Sequence, residues 1–290
     1  PKASLRTTEL SELNLEPEQD WGHSMNEVWT PGERGAASAL ELFINDSFND
    51  YAKIRNFPNT KGTSRLSPHL RFGEISPRQI KHSLEQSGHA HWKESHYLSE
   101  IGWREFGYHL LYHFPHTVRE PLRPPFNRFP WKENSPQLRS WQKGQTGYPL
   151  VDAGMRELWA TGWMHNRVRM VVASFLVKHL LIHWRHGADW FWDTLVDADL
   201  ASNTQGWQWT AGSGADAAPY FRIFNPTTQA IKFDPEGDYI RKWVPELRHM
   251  SAPDIFEPSK VDRGQNYPNP IVDHSDARDR ALKAYEKTKA

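Results

Sequence analysis

Apolar residues recur at helical spacing along most of this chain. Ala36, Leu40, Phe43, Ile44, Phe48 and Tyr51 fall three or four apart, which predicts one amphipathic helix over residues 35–55. Further helices are predicted over 90–114, over 151–161 with a stripe of Val151, Met155, Leu158 and Trp159, and over 163–184. Shorter ones follow over 188–196, 237–247 and 274–287. Ser76-Pro77-Arg78-Gln79 reads as a helix start, with a capping serine, proline at the first position and glutamine placed for a capping box. Residues 115–149 are rich in Pro and Trp and read as an irregular connection with short helices, and 220–229 as an aromatic, turn-rich loop from which Gln229 could reach a partner. Residues 1–34 keep no period and read as a linker or wrapping arm ahead of one domain over 35–290. Alternation at period two is almost absent, so the fold class expected is all-α.

Composition changes this picture at one point. Hydrophobic content of 38% and charged content of 24% are ordinary, but 14 Trp are not: they imply an aromatic-packed core, a cavity built for flat π-rich ligands, or both. Lys+Arg 35 against Asp+Glu 35 leaves no net charge, so a polyanionic partner would need cations gathered on one face. Cys 0 excludes disulfides, thiolate catalysis and Cys-bound metal. The most apolar run, 170–182, is interrupted by Lys178 and His179 and is shorter than the roughly 20 residues a bilayer span needs. The N-terminus has no basic, apolar, cleavable pattern, which argues against an export signal, and its irregular start on Pro1 reads as part of something longer. There is no GxGxxG and no Walker loop.

Candidate chemistry is concentrated in a few stretches. The run from Asp197 through Asp199, Asn203 and Gly206 to Trp207 and Trp209 combines carboxylates, an amide, a glycine that admits close approach, and indoles. An acidic helix exit leading into core tryptophans would look the same. Thr63-Ser64-Arg65-Leu66-Ser67 can wrap phosphate oxygens with hydroxyl and backbone donors while Arg65 supplies charge, or can be a polar surface turn. Glu100, Trp103 and Arg104 share one helix face, as base-edge reader, stacking ring and phosphate clamp or as a plain ion pair beside a core indole. Trp163, Asn166, Arg167 and Met170 lie within a turn of one another, and there too a polar helix start with solvated arginines is the alternative.

Taken together, and in this order, these motifs resemble the photolyase and cryptochrome flavoproteins from about residue 35 to the end. The resemblance implies their helical FAD-binding domain without the preceding α/β antenna domain, so the antenna pigment stays unknown. It implies that Tyr51 and the loop Thr63, Ser64, Arg65, Leu66 and Ser67 hold the FAD phosphates and ribityl chain with Arg104 nearby. Asp197, paired with Arg169, and Asp199 would border the flavin ring, with Asn203 at its N5 steadying the reduced anion. Glu100, Trp103, Asn166, Met170 and Trp209 would line a pocket for a flipped pyrimidine dimer, and Arg55, Arg167 and Gln229 would contact the DNA around it. Trp207, Trp184 and Trp131 match the family's relay of tryptophans from flavin to surface.

The activity implied is light-driven splitting of cyclobutane pyrimidine dimers in UV-damaged DNA, by a monomer in the cytoplasm, nucleoid-associated if bacterial, with no membrane partner and no metal. Asn203 is the photolyase residue where plant-type cryptochromes carry Asp, and Asn166 and Met170 stand where (6-4) photolyases carry histidines. The wording of residues 148–159 leans toward the branch nearest plant cryptochromes, so a blue-light photoreceptor using FAD and the tryptophan relay is the alternative.

Overall fold

A computed structural model describes residues 7–15, 20, 22–216, 221–261 and 266–289. The first half contains α1 (His23–Asn26), α2 (Glu33–Asp46), α3 (Tyr51–Ile54), α4 (Ser67–Arg71), α5 (Pro77–Gln86), α6 (His96–His113) and α7 (Ser135–Gln142). The second contains α8 (Pro149–Thr161), α9 (Asn166–Ser174), α10 (Trp184–Thr194), α11 (Leu200–Ala211), α12 (Pro226–Phe233), α13 (Asp238–Trp243) and α14 (His274–Glu286). Short 3-10 turns join them, and the β-structure among the described residues is a single bridge, Lys132 to Ile182. The all-α expectation therefore holds.

The helices begin where a side chain can take up the first free N–H groups. Ser76 and Gln79 form the reciprocal box at α5, with Pro77 in the first turn. Ser95 caps α6, Asp199 caps α11, Asn225 caps α12 and Asp273 caps α14. Helices α8 and α11 end on Gly162 and Gly212, both at positive φ, the conformation that glycine adopts without a Cβ clash.

Three apolar clusters result, and the two larger ones meet along a seam. Phe43, Tyr51, Leu66, Ile80, Leu84 and Tyr97 join α2, α3, α5 and the start of α6. A larger cluster, including Trp141, Leu158, Phe175, Trp184, Trp207 and Tyr239, joins α7 to α13. Helix α6 packs on α11 across the seam, and side chains tie the same line: Arg71 to the Ala198 carbonyl, Tyr108 to Asp199, and Trp163 Nε1 to Ser67 Oγ at 3.3 Å.

Several expected boundaries are corrected. The helix over 35–55 breaks after Asp46 and resumes at Tyr51, because Asn45, Asp46, Ser47, Asn49 and Asp50 offer the backbone competing partners, and Ser47 Oγ instead donates to the Lys61 carbonyl at 2.8 Å. The helix over 163–184 starts only at Asn166, passes into a π-helical turn over Phe175–His179 and stops, with Leu181 at φ 56°. Trp184 opens α10 instead of closing the previous helix, since His183 Nδ1 accepts from the Arg185 N–H at 3.1 Å, and α10 replaces the segment expected over 188–196. Trp159 is 63% exposed and stacks on Trp190 rather than continuing the buried stripe of Val151, Met155 and Leu158. Gln229 lies within α12, not in a loop, because Asn225 and Pro226 start a helix there. Tyr220, expected in that loop, and residues 1–6, 16–19 and 21 of the expected arm lie outside the described residues.

Asp152 shows how a buried acid organises the larger core. Its carboxylate accepts from the Thr146 N–H at 2.7 Å, the Thr146 hydroxyl at 2.6 Å, the Gly147 N–H at 3.0 Å and the Tyr267 hydroxyl at 2.6 Å. Asp152→Ala strands these donors in the interior, at about 1–3 kcal/mol for each that finds no water. The expected result is a loss of at least about 3 kcal/mol in chemical denaturation. A loss below about 1 kcal/mol would contradict this account of the knot.

Candidate cofactor and substrate site

The turn 197–199 is held from three directions. Arg169 Nη2 donates to Asp197 Oδ2 at 2.8 Å, and its Nε donates to the Met164 carbonyl at 2.7 Å, so the guanidinium is fixed between two backbone segments. Tyr108 of α6 donates to Asp199, whose other oxygen caps α11 through the Ser202 N–H at 2.8 Å. Arg71 of α4 donates to the carbonyl between the two acids. The Asp197 side chain is only 3% exposed, and its Oδ1 is buried with no hydrogen-bond partner. One turn into α11, Asn203 Nδ2 donates to the Ala188 carbonyl at 2.9 Å, which leaves its Oδ1 as an acceptor. Gly206, a further turn on, is exposed, and a Cβ there would meet nothing within 4 Å.

The hydroxyl-rich loop lies across the seam. Ser64 Oγ accepts from the Tyr97 hydroxyl at 3.1 Å and from the Leu66 N–H at 3.4 Å, and Leu66 anchors the loop in the smaller core. Arg65 stands at φ 52°, a left-handed conformation unusual for a residue with a Cβ. Beside the loop, Tyr51 is buried and its hydroxyl pKa is pushed up to about 12, so it remains a donor. Burial is the largest cause, with Arg55 opposing it and Glu100 adding to it.

Glu100 does not pair with Arg104, although the spacing would allow it. Arg55 Nη1 reaches it instead at 2.6 Å, from α3's C-terminal end, while Arg104 donates to Glu105 at 2.7 Å and to the Tyr108 hydroxyl at 3.2 Å. Trp103, next on that face of α6, is 53% exposed and packs edge-on against Phe106. Arg167 donates twice to Asn56 Oδ1 and lies over the Phe233 ring; burial first, then the Arg55 and Arg222 charges, lower its pKa. The arginines therefore gather where a polyanion could neutralise them. Asn166 is exposed at the start of α9, Met170 and Trp209 are half-buried, and Gln229 Oε1 is buried without a partner.

The tryptophans expected to relay electrons share one cluster. Trp207 is packed between Phe191 at 5.1 Å and Trp141 at 6.3 Å, ring centre to ring centre. Trp184 is buried, and the His183 imidazole lies between it and Trp131, at 5.5 Å and 4.9 Å. Trp131 is the least buried of the three.

Residues 97–287 match the family described as the FAD binding domain of DNA photolyase. The chain belongs to that family. It is similar to the deoxyribodipyrimidine photo-lyase of Agrobacterium fabrum, 49% identical over 302 residues that cover 100% of this chain and 63% of the relative. It is also similar to Cryptochrome-2 of Arabidopsis thaliana, 41% identical over 301 residues that cover 97% of this chain and 49% of the relative. The crystal structure of a bacterial class III photolyase from Agrobacterium tumefaciens superposes with a TM-score of 0.94 at 49% identity, covering 100% of this chain and 63% of that one. The chain thus spans less than two thirds of the length of these relatives.

The residues present fit FAD. A buried carboxylate oxygen without a donor at Asp197, an open α11 face at Gly206 and a hydroxyl loop backed by Arg65 suit a ring N–H, a flat heterocycle and a pyrophosphate.

Sequence reasoning missed the side chains that brace this site: Tyr108 on Asp199, Arg71 on the 198 carbonyl, Asn56 on Arg167, and His183 between two indoles. Tyr108 alone carried a signal, one turn beyond Arg104 on the same face. Because Asp197 is so deeply buried, Arg169→Met is expected to cost about 3–5 kcal/mol by leaving that charge uncompensated. Adding Asp197→Asn should recover part of the loss, and thermal melts of the single and double variants check it; strict additivity would refute the pairing.

Proposed function

We propose that this chain is the catalytic, FAD-binding portion of an enzyme that splits cyclobutane pyrimidine dimers in UV-damaged DNA with blue light. The observation that carries this reading is the packing of α6, which bears Glu100, Trp103 and Arg104, directly on α11, which bears Asn203, Gly206 and Trp209. Reading of a base, stacking and cofactor contact thereby fall on two touching helices. The family and the photolyase relatives point the same way.

When bound in its reduced form, FAD would supply light-driven one-electron chemistry for splitting the cyclobutane ring, with the electron returned to the flavin after the split. The protein's own work is binding, orientation and exclusion of water. Glu100 and Asn166 hydrogen-bond the base edges, Trp103 and Trp209 pack against the rings, and Met170 fills the space beside them. Tyr51, Thr63, Ser64, Leu66 and Ser67, with Arg65 and Arg104, hold the ribityl chain and phosphates. Arg169 holds Asp197 in place, and Asp199 and Asn203 complete that wall of the ring site. Arg55, Arg167 and Gln229 meet the DNA outside the pocket, so affinity for damaged DNA falls steeply as salt rises. Trp207, Trp184 and Trp131 carry electrons inward when oxidised cofactor is photoreduced. The enzyme acts as a monomer in the compartment that holds the DNA; among the described residues no helix is long and apolar enough to cross a membrane.

A photoreceptor role on the same cofactor is the second reading, supported by the similarity to Cryptochrome-2 of Arabidopsis thaliana. Asn203 favours repair. Its Nδ2 donates to the Ala188 carbonyl, a bond that an ionised aspartate at that position could not make.

Photoreduced protein under blue light should restore the monomer absorbance of a dimer-containing oligonucleotide, and no restoration would sink the repair reading. Trp207→Phe should slow photoreduction of the oxidised protein by at least about tenfold, since one step of the relay is lost, while repair by chemically reduced protein stays within about twofold. Asn203→Asp turns an acceptor toward the Ala188 carbonyl and should change the absorbance spectrum that accumulates during photoreduction. An unchanged spectrum would remove Asn203 from the ring site.

A further inference from the structure

The segment before α2 does more than connect. Trp29 Nε1 donates to the Thr161 carbonyl at 2.7 Å and Ser24 Oγ donates to the Ala160 carbonyl at 2.7 Å, so this segment is fastened to the end of α8. Met25 lies against Gly162, where a Cβ would stand 3.1 Å from its sulfur. At the other end, a Cβ on Gly35 would sit 1.9 Å from the Thr30 carbonyl oxygen, so the chain can fold back onto α2 only with glycine there.

The fastening brings the Trp29 indole onto the hydroxyl-rich loop. The Arg65 guanidinium carbon lies 4.8 Å from the centre of the Trp29 ring and 4.5 Å from that of the Trp163 ring. Each indole is itself tied down. Trp163 Nε1 donates to Ser67 Oγ at 3.3 Å, and the Thr161 hydroxyl accepts from the Trp163 N–H at 3.2 Å, in the residue whose carbonyl holds Trp29. Arg65 makes no ion pair and no hydrogen bond with a described residue. A guanidinium stacked by its faces keeps its N–H edge for an acceptor, and stacking removes the rotamer freedom that a long side chain would otherwise lose on binding.

We propose that Trp29 is a positioning residue for the phosphate-binding loop: with Trp163 it clamps Arg65 in the strained left-handed conformation that presents the guanidinium edge to the pyrophosphate of FAD. The segment ahead of α2 is thus part of the cofactor site. This rests on the FAD reading above. The buried Glu157 carboxylate acts on Arg65 only through its charge, without a hydrogen bond or ion pair, so the clamp acts through ring stacking, and phenylalanine can substitute for Trp29 in part.

The test is flavin binding by the full chain after the flavin is stripped, followed by fluorescence with FAD and with riboflavin, which lacks the phosphates. Trp29→Ala should weaken FAD binding by about tenfold or more, the worth of one charge-assisted hydrogen bond, and leave riboflavin affinity within about twofold. Trp29→Phe should restore part of the loss. Arg65→Ala should show the same selective loss, and combining it with Trp29→Ala should add little. An Ala variant that binds FAD as tightly as the unaltered chain overturns the clamp, as does equal loss of FAD and riboflavin, which would mark general damage to the fold. Failure of the unaltered chain to take up FAD overturns the cofactor reading itself.

Discussion

A buried carboxylate must be compensated, and at Asp197 that requirement shapes the turn around which the site is assembled. Arg169 answers it, and because the same guanidinium also holds the Met164 carbonyl, the turn is locked to the start of α9. Tyr108 and Arg71 then bind the following residues to α6 and α4, elements that belong to the other core. The seam is therefore a hydrogen-bonded line between two apolar clusters. A surface of this kind stays rigid while leaving open, at Gly206, the space that a flat ligand needs.

Close approach elsewhere on α11 serves the same end. A Cβ at Gly187 would fall 2.0 Å from the Trp207 ring, so α10 can lie on that indole only because glycine stands there. Trp207 is consequently enclosed by Phe191, Trp141 and the backbone of α10. Farther out, His183 serves two functions, capping α10 through its Nδ1 and filling the gap between Trp184 and Trp131 with an imidazole. Burial, then Arg185 and His186, lower its pKa to about 4, so it stands there uncharged at neutral pH.

Much of this was legible along the chain. The capping serine, proline and glutamine at 76–79 announced the start of α5, and the motif at 63–67 and the run 197–209 marked the stretches that the proposed site draws on. What misled was periodicity carried across a break. Phe48 and Tyr51 continue the apolar spacing of α2, and both are buried, yet the polar residues between them redirect the backbone. The long apolar run 170–182 likewise conceals a π-helical turn and a left-handed Leu181, because every residue from 171 to 182 is buried whichever way the backbone turns.

By itself the sequence determined the helical class, the capped start of α5 and the family resemblance, because these follow from local chemistry and spacing. Tertiary structure alone decided the partners. Glu100 meets Arg55 from α3 rather than Arg104 one turn away, since packing α3 on α6 brings that guanidinium to 2.6 Å and leaves Arg104 to Tyr108. Arg65 meets Trp29 for a similar reason: Thr161 fixes the indole from a segment more than a hundred residues away, a proximity to which no local pattern corresponds.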